Sequence, residues 1–278
     1  MQQNSHQAGV AVSLDVMGHK ISFSQSDAHS DTPFVLPVER AYAIHFGGQP
    51  YAVMMLTPSD IHDFAIGFAL TEGVIKSAAD IRAIDIRDDE NSSLIDIMLH
   101  PDRFKHHLAR QRSLSGRTSC GMCGITHIDD ITRASHNASA DHIMPSKDAL
   151  HNAITHINAH QKLNAQTHAV HAAAWCDETG TLRHIREDVG RHNALDKLIG
   201  VLADTHTDCA RGFVLITSRC SFEMVEKAAI MGIGTLVAIS APTSLALQRA
   251  SELGMNVIAI ARADSAVIFH HHKEGALI

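Results

Sequence analysis

The sequence predicts an α/β protein in which a larger C-terminal α/β domain follows a smaller N-terminal α+β domain. Three observations carry this. From residue 213 the pattern alternates regularly: FVLITS (213–218), SFEMVEKAAIMG (221–232), TLVAIS (235–240), TSLALQRASELG (243–254) and NVIAIA (256–261). Its strands are continuously apolar, as expected of a parallel sheet covered on both faces. Residues 41–100 instead read as two strand pairs around one helix. Finally, 278 residues at 45% hydrophobic content suffice for one large or two modest cores.

Taken in order, residues 1–30 are polar and irregular and are expected to be a flexible N-terminus. The small domain is expected over 31–115. AYAIHFGG (41–48) and YAVMML (51–56) form a hairpin broken by a four-residue loop, Gly47-Gly48-Gln49-Pro50. Thr57 is the expected N-cap of a helix with Pro58 at its first position, apolar Ile61, Phe64, Ala65 and Phe68 on one face, and Gly73 as its stop. IRAIDIRD (81–88) and SLIDIMLH (93–100) alternate as a second strand pair. The larger domain is expected over 116–278. Ser146 caps a helix reaching His160; HAVHAAAWC (168–176) pairs with TLRHIRED (181–188); NALDKLIGVLA (193–203) is an amphipathic helix.

Composition narrows the function classes. A net charge of -7 argues against nucleic acid as a partner. No apolar run reaches the roughly 18 residues that cross a bilayer, and MQQNSHQAGVAVSLDVMGHK has no charged start followed by an apolar stretch. Five cysteines with irregular spacing suit a reducing compartment, so a soluble cytoplasmic protein with no membrane partner is expected. The 22 histidines read mainly as solvated surface, including His151, His156 and His160, with His270, His271 and His272 able to hold metal only adventitiously.

The strongest chemical signal is Cys120 and Cys123 in SCGMCGI (119–125). A C-x-x-C pair flanked by glycine can exchange disulfides, supply half a metal site or carry activated sulfur. Zinc deaminase chemistry needs an upstream H-x-E or C-x-E and a proline before the first cysteine, and Ser119 stands there instead. A four-cysteine zinc site needs a second close pair, whereas Cys176, Cys209 and Cys220 are isolated, so no metal site is expected. Dithiol redox chemistry and sulfur carriage both stay open. Arg103, Lys105, Arg110, Arg112 and Arg117 precede the pair; they read equally as a solvated helix face and as a positive collar for an anionic partner.

A ligand would gather beyond the carboxyl ends of the parallel strands, where Ser218, Arg219, Ser240, Thr243 and Arg262 fall beside helix N-termini. Ser221 and Thr243 read equally as plain N-caps. No phosphate-binding loop of the G-x-x-x-x-G-K-[ST] or G-x-G-x-x-G kind is present. In EDVGRHNALDKLIG (187–200), Asp188, Arg191 and His192 around Gly190 look like a site, with Asn193 as a plain N-cap the alternative.

LTPSDIHDFAIGFALTEGVI (56–75), GRTSCGMCGI (116–125), HAAAW (171–175), EDVGRHNALDKLIG (187–200) and TSRCSFEMVEKAAIMGI (217–233) together resemble the FdhD family, the accessory sulfurtransferases of formate dehydrogenase. The resemblance covers roughly residues 35–270. It implies a cytidine-deaminase-like three-layer C-terminal domain without deaminase catalytic residues, and a homodimer. It also implies a function: a persulfide sulfur is taken from a cysteine desulfurase and passed to the bis-molybdopterin guanine dinucleotide cofactor (Mo-bis-MGD), which activates formate dehydrogenase. The persulfide cysteine would be Cys120 with Cys123 as companion, and no permanently bound cofactor is implied. The nucleotide-binding segment would fall on Ile260, Ala261, Arg262, Ala263, Asp264 and Ser265, with Ser218, Arg219, Arg191 and His192 nearby. Asp264 and Ser265 depart from a more basic family pattern, and His168-Ala169-Val170 replaces a more glycine-rich lead into His171.

Overall fold

The structure is a computed structural model and describes residues 10–21, 29–89, 93–114, 142–273 and 275–276. Strands β1 (Ser13–Ile21) and β2 (His29–Pro37) pair as an antiparallel ribbon. Then come β3 (Arg40–Phe46), β4 (Gln49–Leu56), α1 (Ile61–Thr71), β5 (Ile81–Asp88), β6 (Ser93–Leu99) and α2 (Pro101–Leu114). Their strands form a sheet of order β4-β3-β6-β5, parallel only between β3 and β6. The remainder runs α3 (Lys147–His160), α4 (Asn164–Thr167), β7 (His171–Asp177), β8 (Leu182–Asp188), α5 (Arg191–Asp204), β9 (Gly212–Ile216), α6 (Phe222–Ile230), β10 (Thr235–Ala238), α7 (Ser244–Glu252), β11 (Asn256–Ala259), β12 (Val267–His271) and β13 (Gly275–Ala276). These strands build one sheet of order β13-β12-β11-β10-β9-β7-β8. As the sequence predicts, β9, β10 and β11 are parallel, and β7 pairs antiparallel with β8.

The period-2 alternation of this sheet divides its core. Ala174, Cys176, Phe213, Leu215, Val237 and Ile258 face α3 through Ala149, Ala153, Ile154 and Ile157. Their neighbours Ala173, Trp175, Val214, Ile216, Leu236 and Val257 belong to a larger buried cluster with α1, α5, α6 and α7, which continues into Tyr42, Ile44, Phe46, Ile95 and Ile97 of the four-stranded sheet. The mixed α/β class holds, with helices on both faces of the long sheet.

Helices α1 and α5 meet backbone to backbone. A Cβ on Gly67 would lie 1.8 Å from the carbonyl oxygen of Asp196, and one on Gly200 would lie 1.8 Å from that of Asp63. Beside this crossing, Asp196 is buried and accepts from Thr71 Oγ1 at 2.8 Å and from Lys227 Nζ at 2.7 Å, joining α1, α5 and α6.

Several expectations are corrected. The stretch taken as a flexible N-terminus contains β1 and the start of β2. The β3–β4 loop has two residues, because Gly47 and Gly48 both take positive φ (58° and 77°), as a tight hairpin turn requires. Helix α1 starts at Ile61 after a left-handed Asp60, so Thr57 is not its N-cap. Buried Thr57 instead ties the modules: its N–H donates to Asp188 Oδ2 (3.0 Å), its hydroxyl oxygen accepts from Val189 N (3.1 Å) and its carbonyl from Lys197 Nζ (2.9 Å). Asn193 is likewise no cap; from inside α5 it donates to Met55 O and Asp188 Oδ1. His270 is buried with its ring on Met255 O at 2.6 Å, which is not a solvated surface position. Arg103 leaves the basic collar, since its guanidinium donates to the carbonyls of Gly73 and Val74 beyond the end of α1. Lys105 is exposed and sits 3.6 Å from Asp102. Ser146 and Thr243 do cap their helices, accepting from Ala149 N and Ala246 N. The side chains of Arg110 and Arg112, residue Arg117, and the expected boundary between residues 115 and 116 lie outside the described residues.

Two outcomes follow for stability. Gly200→Ala forces a methyl group onto a carbonyl and should lose at least about 1–3 kcal/mol, with Gly67→Ala similar, measured by urea unfolding. Lys197 and Asp188 form a fully buried pair at 2.7 Å. Lys197→Met strands a carboxylate and should cost about 3–5 kcal/mol, whereas adding Asp188→Asn should restore part of it in a double-mutant cycle.

Candidate functional site

The C-terminal ends of β9, β10 and β11 open onto a cavity of about 470 Å³, within the usual range for small-molecule sites. Its floor and walls include Thr217, Ile239 and the loop Ala261, Arg262 and Ala263, with α3 and the segment after it contributing Ile154, Asn158, Gln161 and Asn164. Val170 and His171 close one side. His171 is there because β7 runs antiparallel to β9: Ala172 N donates to Thr217 Oγ1 at 2.9 Å, and Thr217 N to Ala172 O at 3.0 Å.

The loop after β11 is built under constraint. Ile260 takes φ 52°, a left-handed conformation unfavourable for a β-branched residue, while its N–H donates to Ser240 O. Arg262 sends its guanidinium to Ile239 O and to Ala261 O (2.9 Å), and its own N–H to Ser265 O (2.7 Å). Its charge therefore rests against the carbonyl ends of two parallel strands. From α3, His151 Nδ1 meets Ala263 O at 3.0 Å. Ser265 Oγ donates to Asp264 Oδ1 at 3.1 Å, so both are engaged in the turn itself.

Of the sequence-predicted site residues, Ala261, Arg262 and Ala263 line the cavity, whereas Ile260, Asp264 and Ser265 shape its loop. Ser218 and Arg219 follow β9; Ser218 is buried and donates to Arg219 O, and Arg219 is exposed. Arg191 and His192 open α5 next to His171, and His192 is hydrogen-bonded to Glu223 of α6. That bond holds the Glu223 carboxyl below its usual range. Burial, then the charges of Arg191 and His192, push the His171 imidazole below its ordinary value. His171 thus joins the cavity to the Arg191–His192 cluster. Asp188 is not available to a ligand: its two oxygens accept from Thr57 N, Gly190 N, Asn193 Nδ2 and Lys197 Nζ.

Sequence reasoning passed over His171, Gln161 and Glu223 as site residues. His171 stood in a quoted motif, but only the antiparallel turn of β7 brings it to the strand ends. Gln161 lies in a polar string without periodic signal. A second concavity of about 500 Å³ lies between β8 and the N-terminal modules, and several of its charged groups are paired within the fold. Arg186 pairs with Asp63 (2.7 Å), Arg183 with Asp177 (2.7 Å), and Glu187 accepts from Leu163 N and Asn164 N.

Cys120 and Cys123 lie outside the described residues. The other three cysteines are buried and free. Burial pushes the thiols of Cys209 and Cys220 up to about 12 and that of Cys176 higher still, so none of them supplies a thiolate near neutral pH. Among the described residues, no group of three or more His, Cys, Asp or Glu side chains is arranged to hold a metal ion, and no helix is long and apolar enough to cross a membrane.

A sequence model of the FdhD/NarQ family matches residues 37–275. The chain belongs to the FdhD/NarQ family. It is 43% identical over 237 residues to the sulfur carrier protein FdhD of Xanthomonas euvesicatoria, covering 85% of this chain and 84% of that one. The FdhD protein of Cupriavidus necator, also called a sulfur carrier protein, is 39% identical over 240 residues, covering 86% and 83%. In three dimensions the chain is similar to a crystal structure from Desulfotalea psychrophila described as "a putative formate dehydrogenase accessory protein". The TM-score is 0.71 at 24% identity, covering 93% of this chain and 97% of that one, a likeness of fold. The FdhD/NarQ match takes in both larger sheets as far as Gly275 and leaves all of β1, and β2 up to Leu36, outside it.

The depressed His171 gives a pH signature. Its folded value lies below the unfolded value of about 6.5, so the unfolded chain binds the extra proton first. Stability from this group is present above about pH 6.5 and falls as the pH drops toward the folded value. His171→Gln should reduce the acid-side slope of unfolding free energy between about pH 6.5 and 5. An unchanged slope would mean that His171 titrates alike in both states.

Proposed function

We propose that the protein is a sulfur carrier that accepts persulfide sulfur from a cysteine desulfurase on Cys120 and delivers it to Mo-bis-MGD for the activation of formate dehydrogenase. Family membership and relatives named sulfur carrier proteins support sulfur carriage in general. The observation that carries the reading to the C-x-x-C pair concerns the remaining thiols. Cys176, Cys209 and Cys220 are buried with raised pKa values, so the nucleophilic role falls to Cys120 and Cys123. In the accepting step the Cys120 thiolate attacks the outer sulfur of the donor's persulfide. A new S–S bond forms, the donor's S–S bond breaks, and the donor cysteine leaves as a thiolate. Cys123 is the companion thiol.

The acceptor is proposed to lodge a nucleotide in the strand-end cavity, with Ala261, Arg262 and Ala263 against it and Ile260, Asp264 and Ser265 fixing the loop. Arg262, which lines the cavity, is proposed to offset pyrophosphate charge, with Arg219, Arg191 and His192 further along the same reading and the N-termini of α5 and α6 assisting. The lining residues fit such a group: a cavity of about 470 Å³ with apolar walls from Ile154, Ile157, Val170, Ile239 and Ala261, and Arg262 among them. The partners in this reading are a cysteine desulfurase, formate dehydrogenase and a second copy of the chain, in the cytoplasm.

Mass spectrometry of the protein after incubation with a cysteine desulfurase and cysteine tests the reading. The peptide holding Cys120 should gain one or more sulfur atoms, and Cys120→Ala should abolish both the gain and the activation of formate dehydrogenase. Cys123→Ala should retain part of each. Total loss in both variants with no added sulfur on the wild type would replace carriage by dithiol redox chemistry.

A further inference from the structure

Strands β1 and β2 pair residue for residue from Ser13–Pro37 to Ile21–His29, and neither has another strand beside it among the described residues. A two-stranded ribbon is marginal in water by itself. This one also carries Leu14, Met17, Ile21, Phe34 and Leu36 between 47% and 66% exposed. Its two outer edges are unlike. Val38 N donates to Val12 O at 2.9 Å, and the register runs on from there without a break, so the even-numbered positions of β1 are the ones hydrogen-bonded to β2. The odd-numbered positions therefore turn their backbone groups outward. On β2 the outward set includes Pro33 and Pro37, which have no N–H to offer, and β2 also lies beside α4. On β1 the outward set is Ser13, Asp15, Met17, His19 and Ile21, with no proline. One edge is closed to a further strand and the other is open.

We infer that the outer edge of β1 docks a second copy of the chain, β1 against β1 across a two-fold axis, to give a four-stranded antiparallel sheet. Two observations choose this occupant. In the antiparallel register that overlaps the whole of Ser13–Ile21, Met17 meets its own counterpart and every outward position meets an outward position. The same register sets Asp15 opposite the partner's His19, so each copy supplies both the acid and the imidazole; within its own ribbon that imidazole meets Asp31 at 3.0 Å. On the other face Val16 falls opposite the partner's Gly18, a position that must stay small because a Cβ there would lie 2.6 Å from Phe34 Cε2. With the β2 edge blocked, each copy has a single open edge, so association closes at two and does not run on into a fibre. The family match begins at residue 37, so this surface lies in a part of the chain outside it. The inference rests on the second copy named among the partners above and supplies the surface for it.

Sedimentation equilibrium of the full chain over a dilution series tests this, with Met17→Pro as the first variant. Proline at 17 removes an outward N–H and leaves the bonds between β1 and β2 in place, as Pro33 does on the other strand. Wild type should be dimeric, and Met17→Pro should weaken the dimer at least about tenfold, the worth of the backbone bonds lost at the axis. Cysteine cross-linking reads the register without relying on the proline variant. In a background of Cys120→Ala and Cys123→Ala, Met17→Cys should give a disulfide-linked dimer under mild oxidation, because directly opposed hydrogen-bonded residues have Cα atoms about 5.5 Å apart. Val16→Cys, set opposite residue 18 and not opposite itself, should not. A dimer unweakened by Met17→Pro, or a dimer in which position 17 fails to cross-link, would overturn this surface and leave the second copy to dock elsewhere. Cross-linking at 16 equal to that at 17 would overturn the register. A wild-type chain that is monomeric throughout the series would remove the second copy itself, and this surface with it.

Discussion

The crossing of α1 over α5 is the constraint on which the rest of the molecule depends. Helices that meet through side chains keep their axes about 8–10 Å apart. Here Gly67 and Gly200 remove the side chains, and each helix sets a carbonyl oxygen where the other's Cβ would be. The small module is thereby seated against the long sheet's helical layer, and one buried cluster spans both. Move α5 outward and its N-terminus moves too, taking Arg191 and His192 away from His171.

Close approach brings polar groups into a dry interface, and each is answered. Asp196 is met by Thr71 and Lys227; Asp188 is met by four donors from the strap at Thr57, the turn at Gly190 and α5. Burial depresses the Lys197 ammonium, and its Asp188 partner acts against that shift. Such pairs contribute little net stability compared with apolar packing, but they penalise any arrangement that leaves one member alone. The motif around Asp188 is accordingly divided. Its acid locks the modules, while the following Arg191 and His192 open α5 beside His171, and His192 bonds Glu223.

Much of the seven-stranded sheet was legible because its signals are local. Continuous apolar strands, alternating with helices closed by Gly232 and Gly254, name a parallel sheet without any knowledge of partners. Strand-end logic pointed to Ser218, Arg219, Ser240, Thr243 and Arg262; of these Arg262 lines the cavity, whose walls at the strand ends are Thr217, Ile239 and Ala261–Ala263. Failures came where a residue's role depends on distant chain. Thr57 has the local chemistry of a cap but is claimed by Asp188 and Lys197. Arg103 belongs to a basic string but is claimed by the carbonyls after α1. Residues His171 and Gln161 carry no periodic or motif spacing that marks a cavity wall; they become one when β7 turns back beside β9 and α3 ends above the strand tips. Ribbon β1–β2 was hidden by its polar, irregular composition.

The strap at Thr57 also has a consequence in time. Its partners Asp188 and Lys197 lie 131 and 140 residues further along the chain. At about 5–20 residues per second of synthesis, that is roughly 7–28 s during which the small module exists without its counterpart. Throughout that interval the face of α1 bearing Gly67 has nothing to close against. Slowing translation after residue 75 would prolong that exposure.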